Sequence, residues 1–283
     1  MDFNGKAIYN PSGKAGEYSY WACNFYVGCS NGCKYCYLKK GIGKGVLGGD
    51  KPVLKKCFRD EAEALEIFEK ELKQNLPELQ KHGLFFSFTT DPMLPETMDL
   101  TIQACNVCVS NKVPVKILTK IDFTQEYRKV GYNQFAFPFL IKPEFRYLIA
   151  FGFTLTGCDE MEPGASPNED RIEAMKKLHE AGFRTFASIE PVIDLDNSFK
   201  MICRSMEFCD LFKIGLESGK TYPRKELIEF IEAVTSLNPT YPYPNGIHLK
   251  IYFKDGLLKQ AVISRENLPV NCVGRDYNMF LTN

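Results

Sequence analysis

Three cysteines within eight residues are the side chains of this sequence best suited to metal chemistry. Cys29, Cys33 and Cys36 are separated by three and then by two residues. Gly28 and Gly32 allow the segment to turn tightly, because glycine adopts backbone conformations that other residues avoid. Thiolates are soft ligands that suit zinc or an iron–sulfur cluster. The structural alternative is three thiols packed as apolar side chains, but a glycine-flanked loop offers them little core.

The number of cysteines in this segment favours a cluster over a structural zinc ion. A structural zinc ion usually has four protein ligands, commonly arranged as Cys-x2-Cys pairs, and no fourth ligand lies nearby in the sequence. Three cysteines on a [4Fe–4S] cluster would leave one iron open to a substrate or cofactor. An open position on the metal suits a chemical reaction, whereas a structural metal site only stabilises the fold.

Composition and cysteine usage indicate a globular protein of a reducing compartment. The 283 residues include 11 cysteines, 35 basic and 35 acidic side chains. There is no apolar signal segment at the start, and no apolar run approaches the roughly 18 residues that suggest a membrane span. We therefore expect a cytoplasmic protein without membrane contact, whose cysteines pack, bind metal or react. A net charge of zero argues against a charge-driven nucleic-acid binder but leaves room for a local basic channel.

The elements that must position these residues alternate between short apolar runs and longer amphipathic stretches. Helical spacing of apolar residues is clearest over 60–81, 97–111, 168–181 and 224–236. Strands are predicted at 22–27, 84–88, 115–118, 148–155, 184–189 and 211–214. This alternation predicts a parallel sheet covered by helices, and periodicity leaves open whether it is doubly wound or a barrel. In both folds, reactive side chains collect at the C-terminal ends of the strands.

The cysteine segment, with aromatic Tyr35 before the last cysteine, resembles the cluster motif of the radical S-adenosylmethionine (SAM) superfamily. Further segments, in the same order, are similar to its spore photoproduct lyase-like group. They are Glu17-Tyr18, Asn24-Phe25-Tyr26-Val27-Gly28-Cys29, Ser87-Phe88-Thr89-Thr90-Asp91-Pro92, Ile117-Leu118-Thr119-Lys120, Phe153-Thr154-Leu155-Thr156, Glu162-Pro163-Gly164-Ala165, Ser188-Ile189-Glu190-Pro191-Val192-Ile193 and Lys213-Ile214-Gly215. The resemblance implies an α/β fold, a partial (β/α)6 TIM-type barrel over residues 1–215 with an N-terminal leader. Residues 216–283 would then form a C-terminal helix and strand extension packed on the barrel.

The resemblance also implies an activity and its cofactors. Cys29, Cys33 and Cys36 would bind three irons of a [4Fe–4S] cluster, and the amino and carboxylate groups of SAM would chelate the fourth. One electron, from a donor such as flavodoxin or ferredoxin, would cleave SAM to methionine and a 5′-deoxyadenosyl radical that abstracts hydrogen from a substrate. The cofactor supplies the radical, while the protein positions it and excludes water.

Polar residues after the second and third strands are expected to contact SAM, with Tyr35 beside the cluster. Related enzymes place a Gly-Gly-Glu-type segment against the methionyl amine, and this sequence departs from that pattern with Thr89, Thr90 and Asp91. Lys120 is expected to pair with the SAM carboxylate. The alternatives are a turn formed by the Thr-Asp-Pro segment and a solvated lysine.

Three later strands supply the remaining expected SAM contacts. Thr154 and Thr156 alternate with apolar residues, so both can point into the barrel toward the carboxylate or ribose. Ser188 and Glu190 share a strand face, where a glutamate is costly to bury without a partner, so we expect a ribose or substrate contact. Ile214 is expected to flank the adenine.

The substrate remains open among nucleic acid, peptide and small molecule. The group that the sequence resembles includes a DNA-repair lyase acting on pyrimidine lesions, and the neutral charge weighs against DNA despite a local run of lysines over residues 39–56. Cys272 is a candidate hydrogen donor to a product radical, whereas most other cysteines are expected to pack. The alternative from another class is a non-catalytic iron–sulfur or zinc-binding sensor.

Overall fold

Ten strands form two sheets in the described part of the chain. The computed structural model describes residues 3–40, 43–124, 141–237 and 249–281. In chain order the strands are β1 Ile8–Tyr9, β2 Ala22–Cys23, β3 Tyr26–Val27, β4 Val53–Leu54, β5 Leu84–Phe86, β6 Val115–Thr119, β7 Ile149–Thr154, β8 Arg184–Val192, β9 Leu211–Leu216 and β10 Lys250–Phe253. Eight of them form one sheet in the order β1-β2-β5-β6-β7-β8-β9-β10, and β3 pairs with β4.

The large sheet is parallel except at its β1–β2 edge. All six predicted parallel strands are present, and the expected α/β fold with a mostly parallel sheet is confirmed. The sheet ends at β1 on one side and at β10 on the other, as in a partial barrel. β10 comes from residues 216–283 and pairs with β9, Lys250 lying opposite Leu211. Part of that extension, residues 238–248 and 282–283, lies outside the described residues.

Helices follow most of the parallel strands. They are α1 Gly13–Gly16, α2 Lys44–Leu47, α3 Glu61–Gln74, α4 Leu76–His82, α5 Met98–Ser110, α6 Asn168–Glu180, α7 Leu195–Ser205, α8 Arg224–Thr235 and α9 Asp255–Ala261. Short 3-10 helices lie at Tyr37–Lys39, Pro143–Leu148, Asp159–Met161, Met206–Phe208 and Arg265–Asn267. Among the described residues, no helix has both the length and the apolar character needed to cross a membrane.

The single helix predicted over residues 60–81 is wrong, because the chain forms α3 and α4 with a break at Asn75. Pro77 explains the break, since proline inside a continuous helix would remove a backbone hydrogen bond and clash with the preceding turn. In the first turn of α4 the missing N–H costs nothing. The predicted start is correct, because Asp60 accepts a hydrogen bond from the backbone N–H of Glu63 at 2.8 Å.

The strand predicted over residues 22–27 is also wrong in its second half, because the chain leaves the sheet at Asn24. The side chain of Asn24 accepts from the N–H of Phe88 at 2.9 Å and donates to the hydroxyl of Tyr9 at 2.8 Å. The next residues, Tyr26–Val27, pair antiparallel with Val53–Leu54. This turn out of the sheet directs the following segment across the C-terminal ends of the strands.

The two faces of the sheet carry different side chains. Along β7, Phe151 and Phe153 belong to the large apolar core that the helices cover, and Ala150 belongs to a smaller cluster on the other, inner face. Gly152 also faces inward, because a Cβ there would lie 2.1 Å from the ring of Phe186. The inner cluster consists of Tyr18, Ala22, Phe85, Ala150, Phe186, Leu211, Tyr252 and Met279.

Candidate functional site

The cysteine loop, residues 28–37, is fixed by backbone hydrogen bonds to residues that follow β7. The N–H of Lys34 donates to the carbonyl of Met161, and the N–H of Gly164 donates to the carbonyl of Asn31, both at 2.9 Å. A Cβ on Gly164 would lie 2.5 Å from the carbonyl oxygen of Ser30, so this close approach requires glycine. The loop therefore lies against the C-terminal end of the parallel sheet.

The three thiols of this loop are free, with Cys33 buried and Cys29 and Cys36 partly exposed. Burial raises the pKa of Cys29 to about 11, and burial also raises the pKa of Cys33, which the charge of Lys120 partly offsets. Protonated thiols are therefore favoured until a metal supplies positive charge, and metal binding would release their protons.

The donor set fits an iron–sulfur cluster. Within residues 3–40, 43–124, 141–237 and 249–281, no three His, Cys, Asp or Glu side chains gather around a position for a single metal ion. The three free thiols of Cys29, Cys33 and Cys36 are soft ligands on one loop, and in a cluster each thiolate would bind a different iron.

Asp91 ties the cysteine loop to the end of β6. Its Oδ2 accepts from the side-chain amide of Asn31 and from the N–H of Lys120, both at 2.8 Å. Its Oδ1 accepts from the hydroxyl of Thr119 at 2.7 Å and from the N–H of Met93 at 3.0 Å. The carboxylate is engaged by four protein donors, so it positions the loop.

Thr89 and Thr90, predicted with Asp91 as SAM contacts, differ in what they offer a ligand. The hydroxyl of Thr89 donates to the carbonyl of Tyr26 at 2.6 Å. The hydroxyl of Thr90 is buried and has no hydrogen-bond partner among the described residues. Because buried polar groups are nearly always paired, Thr90 is the member of the three with free capacity for a bound group.

Glu162 is the centre of a buried charge cluster beside the cysteine loop. Arg171 Nη2 lies 2.6 Å from Glu162 Oε2, and the hydroxyl of Thr156 donates to the same oxygen at 3.0 Å. The Tyr35 hydroxyl donates to Oε1, and Lys120 Nζ lies 4.0 Å from it. Burial alone would raise the pKa of Glu162, but the charges of Lys120 and Arg171 hold it below its usual value.

Lys120 occupies the open side of this cluster. Its Nζ lies 3.3 Å from the hydroxyl of Thr154 and 5.7 Å from the centre of the Tyr35 ring. The side chain keeps 18% of its surface exposed, whereas that of Glu162 is fully buried. The structure thus brings Tyr35, Lys120, Thr154 and Thr156 together, and adds Glu162 and Arg171 to them.

Arg171 carries no signal in the sequence, because an arginine in an amphipathic helix is usually solvated. In α6 it is fully buried. Besides Glu162, it donates to the carbonyl of Thr154 at 2.6 Å and to that of Ser166 at 2.7 Å. The Glu-Pro-Gly-Ala segment that begins at Glu162 was the sequence feature that could have indicated this cluster.

Ser188 and Glu190 share the inner face of the sheet, and Tyr18 joins them. The Tyr18 hydroxyl lies 2.6 Å from Ser188 Oγ and donates to Glu190 Oε2 at 2.7 Å. Lys254, directly after β10, places its Nζ 2.8 Å from the same Glu190 oxygen. Glu190 is therefore paired, as it must be because burying an unpaired carboxylate is unfavourable.

A second set of contacts joins the leader, residues 3–20, to the C-terminal extension. Glu17 Oε1 accepts from the Tyr252 hydroxyl at 3.1 Å and from the N–H of Asp255 at 3.0 Å. Lys254 Nζ lies 3.7 Å from Glu17 Oε2, and Lys213 Nζ donates to the Glu17 carbonyl at 2.7 Å. Burial, reinforced by the charges of neighbouring lysines, lowers the pKa of Lys213 well below its usual value. Residues distant in sequence thereby build one wall of the inner face.

Two residues predicted for the site lie on the other face of the sheet. Ile214 packs in the helix-covered core, because its neighbours Lys213 and Gly215 take the inward positions of β9. Cys272 pairs with Ile251 in an isolated bridge beside β10 and packs against the same core. The structure does not bring Ile214 or Cys272 to the residues around Glu162 and Glu190.

Comparison with known sequences gives one family and two curated relatives. A family model described as the Radical SAM superfamily matches residues 23–209. An uncharacterized protein of Methanocaldococcus jannaschii is 26% identical over 188 residues, and the match covers 61% of this chain and 60% of that protein. The spore photoproduct lyase of Bacillus subtilis is 26% identical over 176 residues, covering 61% of this chain and 45% of the lyase. The chain thus spans less than two thirds of either relative.

Solved structures share the fold at low identity. A spore photoproduct lyase variant with bound AdoMet and dinucleoside spore photoproduct gives a TM-score of 0.55 at 15% identity, covering 81% of this chain and 65% of that one. SuiB of Streptococcus suis bound to S-adenosylmethionine gives a TM-score of 0.52 at 13% identity, covering 84% of this chain and 51% of SuiB. These likenesses support the partial-barrel architecture.

Proposed function

Because this chain belongs to the radical SAM superfamily, we propose that it is a radical SAM enzyme whose cluster is held by Cys29, Cys33 and Cys36. A bound [4Fe–4S] cluster with SAM supplies a 5′-deoxyadenosyl radical after one-electron reduction. The observation that carries the proposal is the fixed position of the cysteine loop across the strand ends, where Asp91 and Gly164 hold it. The loop lies there beside a polar wall formed by Thr90, Lys120, Thr154 and Thr156.

The polar wall supplies the groups that would bind and orient SAM. Lys120, whose side chain is 18% exposed, is assigned to the SAM carboxylate, and the charge of Glu162, 4.0 Å from its Nζ, orients the lysine. The unpaired hydroxyl of Thr90 is suited to accept from the methionyl amine. Ser188 and Glu190 face the same interior from β8 and are assigned to the ribose or to a polar group of the substrate.

Apolar rings cover part of the inner face, which would keep water away from a radical formed there. Phe85 and Phe88 stack with their ring centres 4.4 Å apart, and Tyr18 packs against Phe85 at 5.6 Å. The substrate would donate a hydrogen atom to the radical, giving 5′-deoxyadenosine and a substrate radical. The leader and extension residues around Glu17 and Lys254 border this space, so we assign substrate selection to them.

A lyase-like reaction on a nucleic-acid lesion is the second candidate, favoured by the match to the Bacillus subtilis lyase. Charge weighs against it. Within the local run of lysines, Lys39 pairs with Asp50, and Lys40 Nζ lies 3.7 Å from Glu217. The run is therefore partly neutralised, and a peptide or small-molecule substrate is equally compatible with the inner face.

We also infer the surroundings in which the enzyme works. All eleven cysteines of the chain are free, as in a reducing cytoplasm, and a ferredoxin or flavodoxin there would be the electron donor. Residues 1–215 would form the core with its leader, and residues 216–283 an extension on it. Pairing of β10 with β9 supports that division, because the extension adds to an already continuous sheet.

Anaerobic reconstitution with iron and sulfide, reduction with dithionite and incubation with SAM test the proposal. The wild type should release 5′-deoxyadenosine, and a Cys33→Ala variant should release none. Cys57→Ala is the matched control, because Cys57 is exposed and lies outside the cysteine loop. A fully loaded wild-type cluster that leaves SAM intact would overturn the proposal in favour of the non-catalytic sensor.

A further inference from the structure

A polar recess lies toward the N-terminal ends of the parallel strands, away from the cysteine loop. Residues from four parts of the chain line it, among them Ser19, Tyr20, His82, Lys116, Arg275 and Asp276. Lys116 and Lys120 both belong to the β6 segment, and four residues of extended strand place them about 13 Å apart. The recess is therefore separate from the polar wall at the strand ends.

Lys116 is a buried amine without a counter-ion. It is 8% exposed, and within the described parts of the chain its Nζ contacts the Phe280 ring at 5.9 Å without forming a hydrogen bond or ion pair. Burial lowers the pKa of Lys116 to about 8, so most molecules carry the charge at neutral pH. A buried charge without a partner is unfavourable, and an anion would relieve that cost.

Ser19 provides a second, independent sign of a ligand. Its side chain is 6% exposed, and its hydroxyl is buried without a hydrogen-bond partner among the described residues. Buried hydroxyls in folded proteins nearly always find a partner, so an orphan in a polar recess indicates a missing acceptor or donor. An anion would accept from the Ser19 hydroxyl and from the Lys116 ammonium together.

The other charges around the recess leave it net positive. Arg275 donates through Nε to the Gly16 carbonyl at 3.3 Å, which holds its guanidinium against the leader. Asp276 is the opposing charge, and it accepts a hydrogen bond from the Tyr20 hydroxyl. Burial lowers the pKa of His82, so this residue is mostly neutral at pH 7. Two cations therefore face one anion.

We propose that this recess binds a phosphate group, held by the Lys116 ammonium, the Ser19 hydroxyl and the Arg275 guanidinium. These are donors that proteins commonly use for phosphate, and here they come from the leader, β6 and the C-terminal tail. The shared chemistry is a phosphate oxyanion, either free inorganic phosphate or the phosphate of a nucleotide. Binding would tie Ser19 to β6, and with it the leader that carries Glu17 and Tyr18.

Thermal unfolding of the full chain in sodium phosphate, compared with sodium chloride of equal ionic strength, tests the proposal. We expect phosphate to raise the wild-type Tm by roughly 5 °C at 100 times its Kd. Lys116→Met should abolish the rise. A parallel titration with AMP distinguishes the two sources, because a nucleotide site binds AMP more tightly than inorganic phosphate.

Two further variants make the result specific. Lys176→Met is the matched control, because Lys176 is an exposed lysine of α6, and this variant should keep the full rise. Ser19→Ala changes one hydroxyl and should weaken phosphate binding roughly fivefold even if Lys116→Met folds poorly. An equal rise in the wild type and in both recess variants, or no rise in the wild type with either phosphate or AMP, would overturn the proposal.

Discussion

The hydroxyl of Tyr35 donates a hydrogen bond to Glu162, which links the cysteine loop to the segment that follows β7. Glu162 in turn holds the fully buried guanidinium of Arg171 at 2.6 Å. The orientation of a residue between two cysteines therefore depends on an ion pair that belongs to neither the loop nor the cluster ligands. Supporting contacts of this kind commonly decide how well a metal site is held.

Replacing Glu162 by glutamine should therefore destabilise the protein strongly. The variant leaves the buried Arg171 guanidinium with the more distant carboxylate of Asp159, whose Oδ1 lies 3.7 Å away on a half-exposed side chain. Breaking a buried ion pair typically costs about 3 to 5 kcal/mol. Urea denaturation of the metal-free chain measures the loss of unfolding free energy. Glu160→Gln removes an exposed carboxylate two residues away and should change stability by less than about 0.5 kcal/mol. Equal effects of the two substitutions would contradict the importance of the buried pair.

Lys120→Met should weaken SAM binding while the cluster is retained. Lys120 is the partly exposed cation beside the buried Glu162, and losing one charge-assisted hydrogen bond typically lowers affinity roughly tenfold or more. Equilibrium binding of SAM to the reconstituted, unreduced protein measures the change, and iron content checks the cluster. Lys142→Met, at an exposed lysine, is the control. Unchanged SAM affinity with a full cluster would remove Lys120 from the binding site.

Strand periodicity was sufficient to predict which residues of a single strand share a face of the sheet. Ser188 and Glu190 on one side of β8, and Thr154 and Thr156 inward from the β7 segment, follow from alternation of side chains. Alternation also places Ile214 outward once Lys213 is known to point inward, but that choice of face depends on tertiary contacts.

Contacts between residues from distant parts of the chain could not be predicted from the sequence. Lys254 lies 64 residues from Glu190, and Tyr18 lies 172 residues from it, yet both meet the same carboxylate. A glutamate predicted to be buried must have a polar partner, but the sequence does not identify which residue that partner is. The four donors around Asp91 were likewise hidden, because two of them are backbone N–H groups and the other two, from Asn31 and Thr119, lie 60 and 28 residues away.

The pair formed by Lys254 and Glu190 predicts a compensating double substitution. Lys254→Met leaves the Glu190 carboxylate without its cation and should cost about 3 kcal/mol of unfolding free energy. Adding Glu190→Gln removes that unpaired charge and should recover part of the loss, because Glu17, 3.7 Å from Lys254 Nζ, still lacks its cation. A double-mutant cycle by urea denaturation gives the coupling, which we expect to exceed about 1 kcal/mol. Additive losses would show that the two side chains do not stabilise each other.

The buried Lys116 predicts a pH dependence whose sign is fixed by its depressed pKa of about 8 against a usual value of 10.5. Between these values the unfolded chain binds more protons than the folded chain, so the Lys116 contribution to stability rises with pH. At pH 7 both forms are charged, and the full penalty of roughly 3 kcal/mol is present. In phosphate-free buffer, Lys116→Met should therefore be more stable than the wild type at pH 7.

That advantage should shrink as pH rises through 8 and approach its minimum near 10.5, because the folded wild type loses its buried charge over this window. Comparing the two proteins at each pH cancels the titration of cysteines and tyrosines common to both. The measurement is urea denaturation at pH 7, 8, 9 and 10. A stability difference that stays constant over this range would show that Lys116 titrates with an ordinary pKa, and that its amine is solvated or paired.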